Sequence, residues 1–265
     1  MKEHILEILK QIEVDYQVKI LYACESGSRA WGFPSKDSDY DVRFIYVHQR
    51  DWYLSIDDNQ RDVLEIPKHD SISIPIHELL DVSGWELTKT LKLFRKSNPP
   101  LLEWLNSSII YYQEFSTVDK MRTIASNIFT PNSCLHHYFN MAKRNYRDYI
   151  QGYEVKIKKY FYVLRPILAA KWIEKYESIP PIEFHKLLEN IITDDILKES
   201  IQNLLSRKMA GEELELEPKI VEINEYLNNE IEHLELYAKN LTININNPTE
   251  LLNQLFRATL EEVWT

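Results

Sequence analysis

Residues 18–47, VKILYACESGSRAWGFPSKDSDYDVRFIYV, decide the fold class. The stretch opens on the apolar run Val18 to Ala23 and closes on Val42 to Val47, which is β-branched and aromatic. Both runs are too short for helices and read as buried strands. Between them lie two of the chain's five glycines, Gly27 and Gly32, and the acidic triplet Asp37, Asp39 and Asp41. Gly27-Ser28 directly follows the first strand. Glycine there lets backbone come close to a ligand. A helix starting at Ser28 would aim free backbone N–H groups and the Ser28 hydroxyl at one spot suited to a phosphate, although a bare turn uses the same residues.

Asp37-Ser38-Asp39-Tyr40-Asp41 runs straight into the second strand. Residues i and i+2 of a strand face one side, so Asp39 and Asp41 put two carboxylates on one face at its entrance. Paired carboxylates repel each other unless a cation joins them. Their hard oxygens suit Mg²⁺ or Mn²⁺, with substrate phosphates completing the shell. The plain alternative is a solvated acidic turn.

Taken together, Gly27-Ser28 and the Asp39-x-Asp41 pair, with Ser28 eleven residues before Asp39, resemble the signature of the DNA polymerase beta nucleotidyltransferase superfamily. The strings GSRAWGF, SDYDVRFIY, DVSGWELTK, LKLFRKSNPPLLEWL, YFNMAKRNYRDY and KKYFYVLRPILAAKW look more specifically like the RNA repair pathway DNA polymerase beta family, over roughly residues 20 to 185. The resemblance implies a two-metal nucleotidyltransferase. One metal would activate an attacking hydroxyl and the other would hold the triphosphate and leaving pyrophosphate. It also implies an NTP substrate, a link to RNA repair, and a third acid from a later strand. Asp81, after Leu79-Leu80, is the first choice. Glu86 is the second, although an acid in a helix's first turn also favours the helix dipole. Glu78, Glu65 and Asp70 remain open. In related two-domain transferases a helical domain contacts the nucleotide, which points to Lys159, Tyr162 and Arg165 here, with Arg144 and Arg147 behind them. Arg29 would pair with a phosphate or with an aspartate of the site.

Outward from this core, Ile5, Ile8, Leu9 and Ile12 mark a helix over residues 3 to 14. Asp51 to Asp62 reads as a polar loop, Asp70 to Ile76 as an edge strand or bend, and Glu78 to Val82 as a short strand that Gly84 ends. A helix follows over Trp85 to Phe94, and Asn98-Pro99-Pro100 stops it. From about residue 115 the strand signal fades into helices over 117–129, 132–152, 154–177, 182–190, 193–207, 218–240 and 248–262. The expected plan is α+β: an N-terminal mixed sheet with helices, residues 1–114, then an all-helical domain, residues 115–265, closing the cleft.

Composition bounds the rest. A chain that is 44% hydrophobic can bury a core, so global disorder is excluded. The formal charge of −10 argues against sequence-independent nucleic-acid binding. The charge is uneven, however. Met141 to Lys175 holds nine Lys or Arg against three acids, and Glu183 to Lys239 holds fourteen acids against six bases. A nucleic-acid acceptor therefore has one local basic surface to meet. The two cysteines, Cys24 and Cys134, form no zinc pattern and read as core residues. His136-His137, as helical neighbours, share no face. The absence of a signal-like or membrane-length apolar run predicts a cytoplasmic protein without a membrane partner; a protein partner is not legible. Two other function classes stay open: a non-catalytic nucleotide or nucleic-acid binding module, and an interaction protein whose paired aspartates are fortuitous.

Overall fold

The computed structural model describes residues 1–56, 62–212, 216–241 and 247–265. Helix α1 (Lys2–Tyr16) buries Ile5, Ile8, Leu9 and Ile12. It stops at Gln17, whose φ of 53° reverses the chain into β1 (Val18–Glu25). A single turn, α2 (Gly27–Ala30), and a loop lead to β2 (Tyr40–His48). Then follow α3 (Arg50–Tyr53), β3 (Val63–Ile66), β4 (Leu80–Glu86), α4 (Leu87–Arg95), α5 (Pro99–Leu105) and β5 (Ile110–Gln113). The five strands form one mixed sheet in the order β3-β4-β2-β1-β5. Only β2 and β4 run parallel; the other pairs are antiparallel.

Alternation along β2 sorts the core. Val42, Phe44 and Tyr46 join Ile5, Ile8, Leu9 and Ile12 of α1 on one face. Ile45 and Val47 join the helical half on the other. Burying the four α1 aliphatics is worth roughly 6–12 kcal/mol as an upper bound, at about 1.5–3 kcal/mol for each. Asp41 and Arg43 share the parity of Ile45 and Val47, so the sheet itself turns them toward the helical half.

That half comprises α6 (Thr117–Ile128), α7 (Pro131–Tyr149), α8 (Ile157–Tyr176), α9 (Phe184–Ile191), α10 (Asp195–Arg207), α11 (Val221–Asn240) and α12 (Thr249–Val263), with a π turn at Lys208–Glu212. Its helices fall within a few residues of the spans expected. One continuous cluster of buried residues runs from Leu21, Phe33 and Ile45 through Tyr138, Phe161 and Leu164 to Leu227 and Leu255. Among the described residues no helix is long and apolar enough to cross a membrane. Both cysteines are buried and free.

The structure corrects several local expectations. Residues 70–76 form no strand, and the edge strand is β3 instead. β5, and a two-stranded ribbon of β6 (Glu154–Lys156) with β7 (Leu216–Pro218), were not foreseen. The polar loop expected over 51–62 lies partly outside the described residues; its described start is α3. Gly84 does not end a strand. It sits within β4, which runs on to Glu86. The reason is packing: a Cβ there would lie 2.2 Å from Phe44 Cε2 on the neighbouring strand. Gly84→Ala is therefore expected to cost about 1–3 kcal/mol through overpacking, read as a lower urea midpoint at unchanged slope.

Candidate functional site

The turn after β1 is built around Asp41. The Ser26 N–H donates to Asp41 O at 2.9 Å, which carries the ladder past the strand end. Gly27 follows at φ 59°, a left-handed conformation. A Cβ on Gly27 would lie 2.1 Å from Asp41 Oδ2. Glycine is thus required twice here, by the backbone and by the carboxylate pressed against it. The approach to β2 is pinned from the other side by Arg29. Its Nη2 donates to Ser38 O at 2.7 Å and its Nε to Asp39 O at 3.1 Å. Its guanidinium lies 3.8 Å over the Tyr40 ring. Arg29 therefore orders the Asp39 backbone, through carbonyl oxygens rather than an aspartate carboxylate, and it is not among the residues lining the cavity.

Parallel pairing sets Asp41 directly opposite Asp81. Arg43, two residues on along β2, reaches back between them. Its Nη2 donates to Asp41 Oδ1 at 3.0 Å and to Asp81 Oδ2 at 3.1 Å. Its Nη1 donates to Asp81 O at 2.9 Å and Val42 O at 3.1 Å. Lys68 Nζ adds a second cation 3.3 Å from Asp81 Oδ2. Burial pushes the Asp81 carboxyl up, but Arg43 and Lys68 outweigh it and hold it below the usual carboxylate range. Asp41 goes the other way. Burial raises it, Arg43 opposes, and the charges of Asp81 and Asp39 raise it further.

Behind Asp41 stands a carboxylate the sequence reading missed. Glu25 is fully buried and accepts the Asp41 N–H at 2.8 Å and the Tyr111 hydroxyl. Burial raises its carboxyl as well. Glu86, the second choice for the third acid, lies five residues along β4 and serves elsewhere. It caps α4, accepting the Thr88 N–H at 2.7 Å and the Lys89 N–H at 3.3 Å, and takes the Tyr53 hydroxyl at 2.6 Å.

A cavity of about 340 Å³ opens over this wall. Ser26, Gly27, Ser28, Asp37, Ser38, Asp39, Asp41 and Arg43 line it together with Lys158, Phe161 and Tyr162 of α8 and Lys208. Trp31 and Phe33 also border it. Lys208 comes from the π turn and is nearly buried, with Nζ donating to Phe33 O at 2.9 Å. Asp81 does not reach the cavity wall, although it touches Arg43, which does.

Of the three expected α8 residues, only Tyr162 lines the cavity. Lys159 sits over the Tyr149 ring at 3.7 Å and the Tyr162 ring at 4.7 Å. Arg165 is 3% exposed and paired with Glu103 at 2.7 Å. Glu103 also accepts from Trp31 Nε1 and the Tyr138 hydroxyl, so this knot ties α5, α7 and α8 to the loop after α2. Lys158 takes the place foreseen for Lys159. Helical spacing could not choose between them, because α8 is buried nearly all round and shows no polar face to fix its phase.

Among the described residues no group of three or more His, Cys, Asp or Glu side chains is arranged to hold a metal ion. The donor set of Asp39 and Asp41 nonetheless fits a hard divalent cation. It is all oxygen, it faces a cavity, and Asp41 carries a charge that burial and two neighbouring carboxylates penalise.

Residues 1–258 match the family described as the RNA repair pathway DNA polymerase beta family, a wider span than the strings quoted above. An uncharacterized protein, YcgL of Bacillus subtilis (strain 168), is 54% identical over 264 residues, covering 100% of this chain and 98% of that protein. A crystal structure of a nucleotidyltransferase-like protein from Exiguobacterium sibiricum 255-15 aligns over 98% of this chain and 80% of its own, at 11% identity and a TM-score of 0.34.

Proposed function

The chain belongs to the RNA repair pathway DNA polymerase beta family, and from that premise we propose that it moves a nucleoside monophosphate from an NTP to an acceptor hydroxyl and releases pyrophosphate. The observation that carries this reading is the cavity wall, where Asp39 and Asp41 stand beside the Gly27-Ser28 turn and share one cavity with Lys158 and Lys208. Carboxylates and ammonium groups across one cavity suit a cation-bound triphosphate better than any uncharged ligand.

Asp39 and Asp41 would hold Mg²⁺ or Mn²⁺, which would supply positive charge against the triphosphate and the leaving pyrophosphate. The protein's own groups do the rest. Gly27 brings backbone close enough for the triphosphate to lie along the turn, with the Ser28 hydroxyl as a donor. Lys158 and Lys208, in the lining of the same cavity, would offset phosphate charge. Glu25 holds the Asp41 backbone and Arg29 holds that of Asp39, so the two carboxylates are positioned before substrate arrives. The acceptor oxygen then attacks the α-phosphorus as the bond to the bridging oxygen breaks. Its proton passes to the carboxylate wall. Lys158, Lys159, Tyr149 and Tyr162 form a basic, aromatic rim beside the cavity. We take the acceptor to be a nucleic-acid end for that reason, since such surfaces hold single strands by charge and stacking.

A second reading, a nucleotide-binding module without transfer, is favoured by one observation: Arg43 already joins Asp41 to Asp81. Calorimetry with each NTP tests the common ground. The expected result is binding that Mg²⁺ strengthens at least about tenfold, or ~1.4 kcal/mol, and that a chelator reverses. Absence of NTP binding with Mg²⁺ present would remove both readings. Binding without pyrophosphate release would leave only the second.

A further inference from the structure

We infer that Arg43 takes the place of a second divalent ion, so that each active site works with one ion, held by Asp39 and Asp41 on the Gly27 side. This rests on the nucleotidyltransferase reading above and specifies its ion chemistry. Two-ion sites need enough acidic oxygens for both ions, which is why a third acid was expected beside Asp39 and Asp41. Here the acid in that position is already committed. Asp81 Oδ2 meets both Arg43 Nη2 at 3.1 Å and Lys68 Nζ at 3.3 Å.

Asp41 is divided between two neighbours. Its Oδ1 faces Arg43 at 3.0 Å, while its Oδ2 faces Gly27. Asp39, exposed and on the cavity wall, lies at the same entrance to β2. One carboxylate oxygen is thus used by a fixed cation, while the other lies against Gly27 at the cavity wall. The guanidinium is not a loose surface group that an ion would push aside. Its side chain is only 17% exposed, and Nη1 is bound to two backbone carbonyls, Val42 O and Asp81 O. An arginine keeps its charge at any working pH, and its planar fork suits two carboxylates at once. A second divalent ion at this place would meet that charge at contact distance. Asp81 becomes a positioning residue, keeping Arg43 in place, which also accounts for its absence from the cavity wall.

The test is a count of bound Mn²⁺ by electron paramagnetic resonance, in the presence of an NTP analogue with a non-hydrolysable α–β linkage. The wild-type chain is expected to hold one Mn²⁺ per bound analogue. Arg43→Gln is expected to hold two, or to bind Mn²⁺ at least tenfold more tightly. Arg43→Lys keeps the charge and stays at one, and so does Asp81→Asn. Two ions in the wild type would overturn the inference. So would an Arg43→Gln chain, folded by circular dichroism, whose count and affinity are unchanged, or an Asp81→Asn chain that loses its ion. A wild-type chain that binds neither the analogue nor Mn²⁺ would overturn the transferase reading and this inference with it.

Discussion

Asp41→Asn is expected to lower nucleotidyl transfer by about 10³-fold or more, on the order of 4 kcal/mol of transition-state stabilisation, while leaving the fold intact. The two halves of that expectation come from the same contacts. Asp41 contacts Glu25, Ser26, Gly27 and Arg43 at once. Its backbone N–H is held by Glu25, its carbonyl accepts from Ser26, its Oδ1 meets Arg43 and its Oδ2 faces Gly27. Asparagine keeps the shape and the acceptor that Arg43 uses, so the strand and the turn persist. It removes the charge that a cation and a triphosphate need. Without a bound metal ion that charge is a burden on balance, since burial and the carboxylates of Asp81 and Asp39 push the Asp41 carboxyl up against the opposing pull of Arg43. Melting temperature should therefore stay level or rise slightly, the usual trade between activity and stability. Unchanged turnover in a well-folded Asp41→Asn chain would remove Asp41 from the chemistry.

Arg165→Met is expected to destabilise the protein by about 3–5 kcal/mol, because one partner of a buried ion pair is removed and the other is left charged. Arg165 is nearly fully buried, and Glu103 is only 12% exposed. Glu103 keeps its neutral donors, Trp31 Nε1 and the Tyr138 hydroxyl, but no cation. Adding Glu103→Gln removes the stranded charge and preserves an acceptor for those donors, so the double variant should recover much of the loss. NTP affinity of the folded fraction should change little, since Arg165 does not line the cavity. A collapse of affinity at unchanged stability would instead make Arg165 a ligand contact.

These two residues show what the sequence could and could not reveal. Asp41 was legible because the strand after it is a strong apolar run, and a period of two fixes which side chains share its face. The same period would have found Arg43, two residues further on and of the same parity. Glu25 closes an apolar run, where nothing in the chain marks it as buried behind Asp41. Arg165 and Lys159 lie on a helix buried along most of its length, so sequence spacing does not tell a cavity position from a buried or rim one. Lys208 arrives from 175 residues beyond Phe33, whose carbonyl it reaches, and only tertiary folding places it. Among the strands, β1 and β2 were readable as central runs. β3 and β5 are four-residue edges, too short for alternation to show. Gly84 misled because its meaning lies across the sheet, in the ring of Phe44.

Nucleotidyl transfer is measured directly with NTPs labelled at the α-phosphate, supplied with Mg²⁺ and a panel of RNA, DNA and protein acceptors. The expected result is label joined covalently to an acceptor, with pyrophosphate released in equal amount and both lost on chelation. Binding of NTP with neither labelled acceptor nor pyrophosphate, across the whole panel, would contradict it.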